Sequence, residues 1–266
     1  MVNRGTMPHP LICAVVESNT VTKMIDDSKT SFSAGADMVE IRFDQLWCKE
    51  VETTTEDEEG NSEKVVEMTE LEFGEVNVED SIGKLKEKIT GQVVFTCRSK
   101  GAGGNFSGTE EERRSVLEAA INSEVSYVDI ELNTGKKLRK SLMNLAKKSG
   151  TKVVASHHDL EGTPSSAEIV SFIEKNQDMG DIVKACYTAT CNDDGLQVVE
   201  ASWELSETKL NYSLMATGNS GDWCRLHAPL LNQNMVYTTL DSDYHISSRG
   251  LVNVGDLRES WKVLEY

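Results

Sequence analysis

The sequence has no Cys-x-x-Cys pair, no Gly-x-Gly-x-x-Gly run after its first strand-like segment, and no apolar stretch near the roughly 20 residues that cross a bilayer. Each absence removes a class of protein. The six cysteines (Cys13, Cys48, Cys97, Cys186, Cys191 and Cys224) lack zinc-site or redox-motif spacing. Three of them, Cys13, Cys97 and Cys186, sit inside apolar runs, where cysteine behaves as a small buried hydrophobe, so a reducing cytoplasm without structural disulfides is expected. The missing glycine fingerprint removes the main signal for a dinucleotide-binding fold. The opening MVNRGTMPHPLICAVV reads as a first strand rather than as a secretion signal. Basic residues are also scarce: 27 Lys and Arg stand against 44 Asp and Glu, a formal net charge of -17. That balance disfavours nucleic acid and anionic membranes as partners. A small anionic substrate stays compatible with it, because local arginines override the global field.

What is present is a regular alternation. Apolar runs at 11–16, 38–43, 92–97, 126–132, 152–156, 181–187, 211–216 and 234–239 read as strands. Amphipathic segments at 20–33, 81–89, 109–122, 135–149, 165–177 and 195–205 read as helices between them. Thr109 with Glu112, and Ser165 with Glu168 after Pro164, are capping-box patterns at two helix starts. Eight strands alternating with helices in 266 residues predict an α/β fold, a (β/α)8 TIM barrel forming one domain over 1–266. Residues 49–80 break the pattern. They are dense in glutamate and are expected to form a solvated acidic insertion after the second strand, with a weak alternation in VVEMTELEF that allows a short hairpin.

In such barrels the chemistry lies at the carboxyl ends of the strands. Glu40 and Arg42 alternate on the second strand and so share a face, Arg98 ends the third, and Asp129 and Glu131 alternate on the fourth. These charges suit either a buried ion network or a polar substrate site. His157 and His158 follow the fifth strand beside Asp159, which favours acid–base work, and no metal-ligand spacing accompanies them. Lys184 lies inside the sixth strand between Val183 and Ala185, where an ammonium is costly to bury. A lysine so placed suits a Schiff-base nucleophile. Met215 closes the seventh strand and Arg225 follows it.

The motifs VEIRFD (39–44), FTCRSKGAGG (95–104), VDIEL (128–132), SHHDLEGTP (156–164), GDIVKACYTA (180–189), CRL around Arg225 and GDLRESWKVL (255–264) resemble those of the type I 3-dehydroquinate dehydratases, in order over nearly the whole chain. The resemblance implies a hydro-lyase of the shikimate pathway that acts on 3-dehydroquinate, works without metal or organic cofactor and is commonly dimeric. It implies an imine on Lys184, general acid–base work by His158, substrate hydroxyls near Glu40, Arg42 and Arg98, a substrate carboxylate on Arg225, and Met215 and Ser247 at the pocket. Two places depart from the family pattern. Ala102 stands where a glutamate partners the catalytic histidine, and the lid pattern SAPGQ reads Ser247-Ser248-Arg249-Gly250-Leu251, so Leu251 replaces a substrate-binding glutamine. Those departures leave open a Schiff-base lyase or aldolase acting on another keto acid, or a non-catalytic binding protein.

Overall fold

A computed structural model describes residues 9–56, 62–240 and 250–266, with side chains at 52–56 and 62–66 excepted. Among the described residues ten strands and eight α-helices follow in chain order: β1 (Leu11–Val16), α1 (Val21–Ser33), β2 (Met38–Arg42), β3 (Cys48–Glu56), β4 (Ser62–Glu70), α2 (Val78–Lys88), β5 (Gln92–Thr96), α3 (Glu110–Asn122), β6 (Tyr127–Glu131), α4 (Lys136–Ser149), β7 (Lys152–His158), α5 (Ser166–Asn176), β8 (Ile182–Ala189), α6 (Asn192–Ser206), β9 (Tyr212–Gly218), α7 (Trp223–Leu226), β10 (Met235–Thr238) and α8 (Val254–Val263). Eight of the strands form one parallel sheet in the order β10-β1-β2-β5-β6-β7-β8-β9, the rolled sheet of a (β/α)8 barrel. All eight coincide, within a residue or two, with the apolar runs read from the sequence.

The helix starts follow their capping residues. Thr109 and Glu112 form the expected reciprocal box on α3, as do Ser165 and Glu168 on α5. Each satisfies backbone N–H groups that a first helical turn otherwise leaves unpaired. Outward-facing strand residues such as Ile12, Val39, Ile41, Phe95, Val128 and Ile130 pack under the helices. Inward-facing Cys13, Met38, Val94, Val154 and Met235 join a second apolar cluster.

Between β9 and β10 the ladder is replaced by individual bonds. The Asn234 N–H donates to the Tyr212 carbonyl at 3.1 Å. The Tyr212 N–H donates to Asn234 Oδ1 at 2.8 Å, and the Leu214 N–H to Gln233 Oε1 at 3.0 Å. Ser213 Oγ donates to the Met235 carbonyl at 2.7 Å. The backbone polar groups of this seam are therefore met largely by side chains rather than by register pairing.

The acidic insertion expected after the second strand is there, the hairpin that its alternation allowed is longer than expected, and one bound is corrected. The bulk of the insertion is an antiparallel hairpin, β3 with β4, paired from Cys48–Glu70 to Glu56–Ser62 and separate from the barrel sheet. Its last residues belong to α2, which begins at Val78 behind the N-cap Asn77, so the helix expected at 81–89 starts a turn earlier. Valine and threonine recur along both segments of the sequence, and β-branched residues favour extended backbone despite the surrounding glutamates. The hairpin leaves the barrel at the carboxyl end of β2 and is fixed at its foot by aromatic packing. Trp47 is fully buried, stacks on Phe73 at 5.8 Å and meets Phe106 edge-on at 4.8 Å. Its Nε1 donates to the Phe73 carbonyl at 3.3 Å. Truncating Trp47 to alanine removes this anchor and is expected to cost about 3–5 kcal/mol in urea unfolding. A loss below about 1 kcal/mol would show that the foot repacks without it.

Candidate active site

The barrel floor is polar where an apolar layer is usual. Arg98, 2 % exposed, clamps Asp129 with two parallel bonds of 2.9 Å, one from each terminal nitrogen. Its Nη1 also donates to Ser156 Oγ at 2.8 Å and to Glu131 Oε1 at 3.4 Å. Ser156 Oγ in turn donates to Asp129 Oδ1 at 2.6 Å. Burial opposes the charge on Arg98, but Asp129, Glu131 and Glu40 outweigh it and push its pKa up. Burial likewise opposes the Asp129 carboxylate, and Arg98 and Lys184 overcome that and hold its pKa below the usual range. Glu40 accepts from Thr96 Oγ1 at 2.8 Å and from Lys184 Nζ at 3.3 Å. The ring of Tyr237 also faces Lys184, its centroid 3.6 Å from Nζ.

Above this floor Arg42 pairs with Asp44 through bonds of 3.0 and 2.9 Å and reaches Glu17 at 2.7 Å, rather than pairing with Glu40. Asp44 is fully buried and also accepts from the backbone N–H groups of Arg98 and Asn105, at 3.1 and 3.0 Å. It thereby fixes the loop after β5. That loop turns at Gly103, whose φ of +79° lies in the left-handed region, and a Cβ on Gly104 would stand 2.2 Å from the Arg98 carbonyl oxygen. The two glycines let the backbone fold back over Arg98 and bury Ala102 beside a cavity that His158 also lines.

His158 ends β7, and its Nδ1 is buried without a hydrogen-bond partner. Burial lowers its pKa well below the ordinary imidazole value, and Arg98, Lys184 and Arg42 add to the effect. The ring is therefore neutral at pH 7. His157 points elsewhere, against Phe172 at 4.7 Å and Tyr187 at 6.1 Å.

One cavity of about 480 Å³ is lined by Glu40, Arg42, His158, Lys184, Met215 and Arg225, among others. Arg98 lines a smaller adjoining space of about 150 Å³ with Ala102 and His158. Of the residues singled out in the sequence, these seven converge, while Asp129 and Glu131 hold Arg98 from below. Ser247 and Arg249 lie outside the described residues. Leu251 is described and lines the larger cavity with an aliphatic side chain. Arg225 is 3 % exposed, and its Nε and Nη1 donate to the carbonyls of Tyr237, Ala216, Gly221 and Gly250 at 2.6 to 3.0 Å. Among the described residues no carboxylate pairs with it, and its guanidinium is oriented by neutral carbonyls. Also among the described residues, no group of three or more His, Cys, Asp or Glu side chains could hold a metal ion. Sequence reasoning missed Asp44, Ser156 and Tyr237. The position of Tyr237 two residues after the buried Met235 was the available signal, since alternation turns both to the barrel axis.

The family model of the type I 3-dehydroquinases matches residues 12–265. The chain belongs to that family. As a type I 3-dehydroquinase it is 27% identical to a 3-dehydroquinate dehydratase from Methanococcoides burtonii, over 96% of this chain and 95% of that protein. It is 28% identical over 93% of its length to a bifunctional chloroplastic 3-dehydroquinate dehydratase/shikimate dehydrogenase from Arabidopsis thaliana, of which it spans only 36%. Among solved structures, a type I 3-dehydroquinate dehydratase from Clostridium difficile bearing covalently modified comenic acid superposes with a TM-score of 0.80 at 22% identity, covering 97% of this chain and 93% of that one. At that identity the likeness speaks for the fold.

Two outcomes follow for this 3-dehydroquinase from its buried charges. Because the folded His158 resists protonation, the unfolded chain takes up the proton first as pH falls below about 6.5, and stability declines toward acid. Nitrogen-15 NMR of the imidazole is expected to find His158 neutral at pH 6, and an imidazolium there contradicts the electrostatics described. The depressed carboxyl of Asp129 gives stability above its unfolded value of about 3.9, lost as pH falls through the folded one. Asp129→Ala removes the bidentate partner of Arg98, leaves this buried cation only its longer contacts to Glu131 and Glu40, and is expected to cost about 3–5 kcal/mol in urea unfolding at pH 7. A variant as stable as the parent would mean that Arg98 finds another partner.

Proposed function

We propose that this chain dehydrates 3-dehydroquinate to 3-dehydroshikimate, in the shikimate pathway, through an imine on Lys184. The observation that carries the proposal is Lys184 itself, a buried lysine whose amine stands 3.3 Å from Glu40 on the wall of a cavity that also presents a neutral imidazole and an arginine without a carboxylate partner among the described residues. The amine attacks the C3 carbonyl, the N–C bond forms, and the carbonyl oxygen leaves as water. The resulting iminium is cationic and draws electrons from C2, so His158 removes the C2 proton to give an enamine. The enamine nitrogen then returns its electron pair, the C1 hydroxyl departs, and His158 supplies the proton that makes it water. Water finally hydrolyses the iminium, releasing 3-dehydroshikimate and the free amine.

Arg225, held by four carbonyls, pairs with the substrate carboxylate through its remaining donors. Glu40 and Arg42 hold the ring hydroxyls, and Arg98 supports that edge from the smaller cavity. Met215 packs against the carbon skeleton, and the family resemblance adds Ser247 to the residues that bind substrate. The reading carries no metal or organic cofactor. The chain acts as one catalytic domain over 1–266, as a homodimer in the cytoplasm. The dimer rests on the family resemblance, while the six free thiols support a reducing compartment. Leu251 on the cavity wall favours a second reading, a related lyase for a keto acid with fewer polar groups on that side.

Mixing the protein with 3-dehydroquinate and sodium borohydride is expected to add the mass of the reduced adduct to the parent and nothing to Lys184→Ala. His158→Ala is expected to lower kcat by roughly 10²–10⁴ while the adduct still forms. An adduct with other keto acids but none with 3-dehydroquinate would move the assignment to the second reading. No adduct with any of them would end both.

A further inference from the structure

Lys184 Nζ contacts both a carboxylate and an aromatic face. Glu40 Oε1 is 3.3 Å away, and the nitrogen sits over the Tyr237 ring, 3.6 Å from its centroid. Tyr237 comes from β10, opposite Cys13 of β1, and is 4 % exposed. Its hydroxyl is buried and makes no hydrogen bond. The part of the side chain that touches the amine is therefore the ring, and the polar tip has no partner to explain its presence. Burial, with Glu40 and Cys13 nearby, pushes the phenol well above its ordinary value, so it stays a neutral ring at any working pH.

We propose that the face of the Tyr237 ring is a charge-stabilising and positioning element for the covalent chemistry at Lys184, acting through its π-electrons and not through its hydroxyl. The proposal rests on the imine reading above. An aromatic face carries the negative part of the ring quadrupole and attracts a cation above it. A neutral amine or carbinolamine nitrogen gains little from that face, whereas an iminium gains as an ammonium does. The ring therefore favours the step in which the nitrogen lone pair closes the C=N bond and hydroxide leaves as water, because positive charge appears on the nitrogen at that moment. A desolvated cation over a ring is favoured by a factor of roughly three to thirty relative to an aliphatic wall. The same contact covers one side of the nitrogen with carbon, and both side chains line the larger cavity. An aliphatic residue of similar size would also block that side, but it would desolvate the cation without compensation.

The test separates ring from hydroxyl and both from packing. Phenylalanine and its 4-fluoro, 3,5-difluoro and 3,4,5-trifluoro analogues are placed at 237 by amber suppression, alongside Tyr237→Leu. The rate of trapping 3-dehydroquinate with cyanoborohydride, which reduces the protonated imine, is then followed by intact mass. Tyr237→Phe is expected to trap within about threefold of the parent. Successive fluorination, which drains the ring face with little change of shape, is expected to lower the rate stepwise to about a tenth, and Tyr237→Leu to lie at or below that level. A flat fluorine series overturns the proposal, and so does a Phe variant as impaired as the Leu variant, which would transfer the role to the hydroxyl. If Leu fails to fold, the fluorine series decides alone. Absence of trapping in the parent protein is a distinct result: it sinks the imine reading and this proposal with it.

Discussion

The bidentate contact between Arg98 and Asp129 is the interaction on which the rest of the barrel interior depends. Filling a barrel core with aliphatic side chains requires no charge balance, whereas burying even one guanidinium obliges the fold to supply a carboxylate in good geometry. Here the obligation spreads. Asp129 is shared with Ser156, Glu131 divides itself between Arg98, Ser99 and Arg113, and Glu40 faces both Arg98 and Lys184. Three buried carboxylates thus face three buried cations. One of those cations, Arg113, reaches in from α3, so a helix outside the sheet helps to neutralise the floor within it. The network therefore pins the strands that carry the site.

Much of this architecture was legible in the sequence because the strands are short apolar runs and several helix starts carry explicit caps. Periodicity and capping are local, and a local signal survives without knowledge of the fold. Convergence of Glu40, Arg42, His158, Lys184, Met215 and Arg225 followed from the rule that barrel chemistry sits at strand carboxyl ends, helped by motif resemblance. What stayed hidden was pairing. Asp44 lies outside a strand, and its role depends on loop amides supplied by Arg98 and Asn105, 54 and 61 residues away. Tyr237 reads as one more strand aromatic until β10 and β8 bring it against Lys184. The hairpin was legible only as a weak alternation because glutamates interrupt that signal, while backbone pairing and an aromatic foot outweigh glutamate in the fold.

His158 illustrates how electrostatics replaces a missing partner. Ala102 cannot accept a hydrogen bond through its side chain, and Nδ1 is left unpaired. A carboxylate at that point would raise the basicity of the ring, whereas burial and the surrounding cations lower it. The histidine of this chain is consequently a weaker base and a stronger acid than a carboxylate-paired one.

The seam between β9 and β10 has a mechanical meaning. A fully laddered barrel is a closed hoop, stiff against radial strain because widening it anywhere breaks a row of backbone bonds. This hoop has one soft joint, where Asn234, Gln233 and Ser213 side chains span the gap. The strands on either side of that joint carry Met215 and Tyr237. Dilation to admit a bulkier occupant therefore costs least at the seam. It swings those two side chains apart while the ladders that carry Lys184, His158 and Glu40 keep their register.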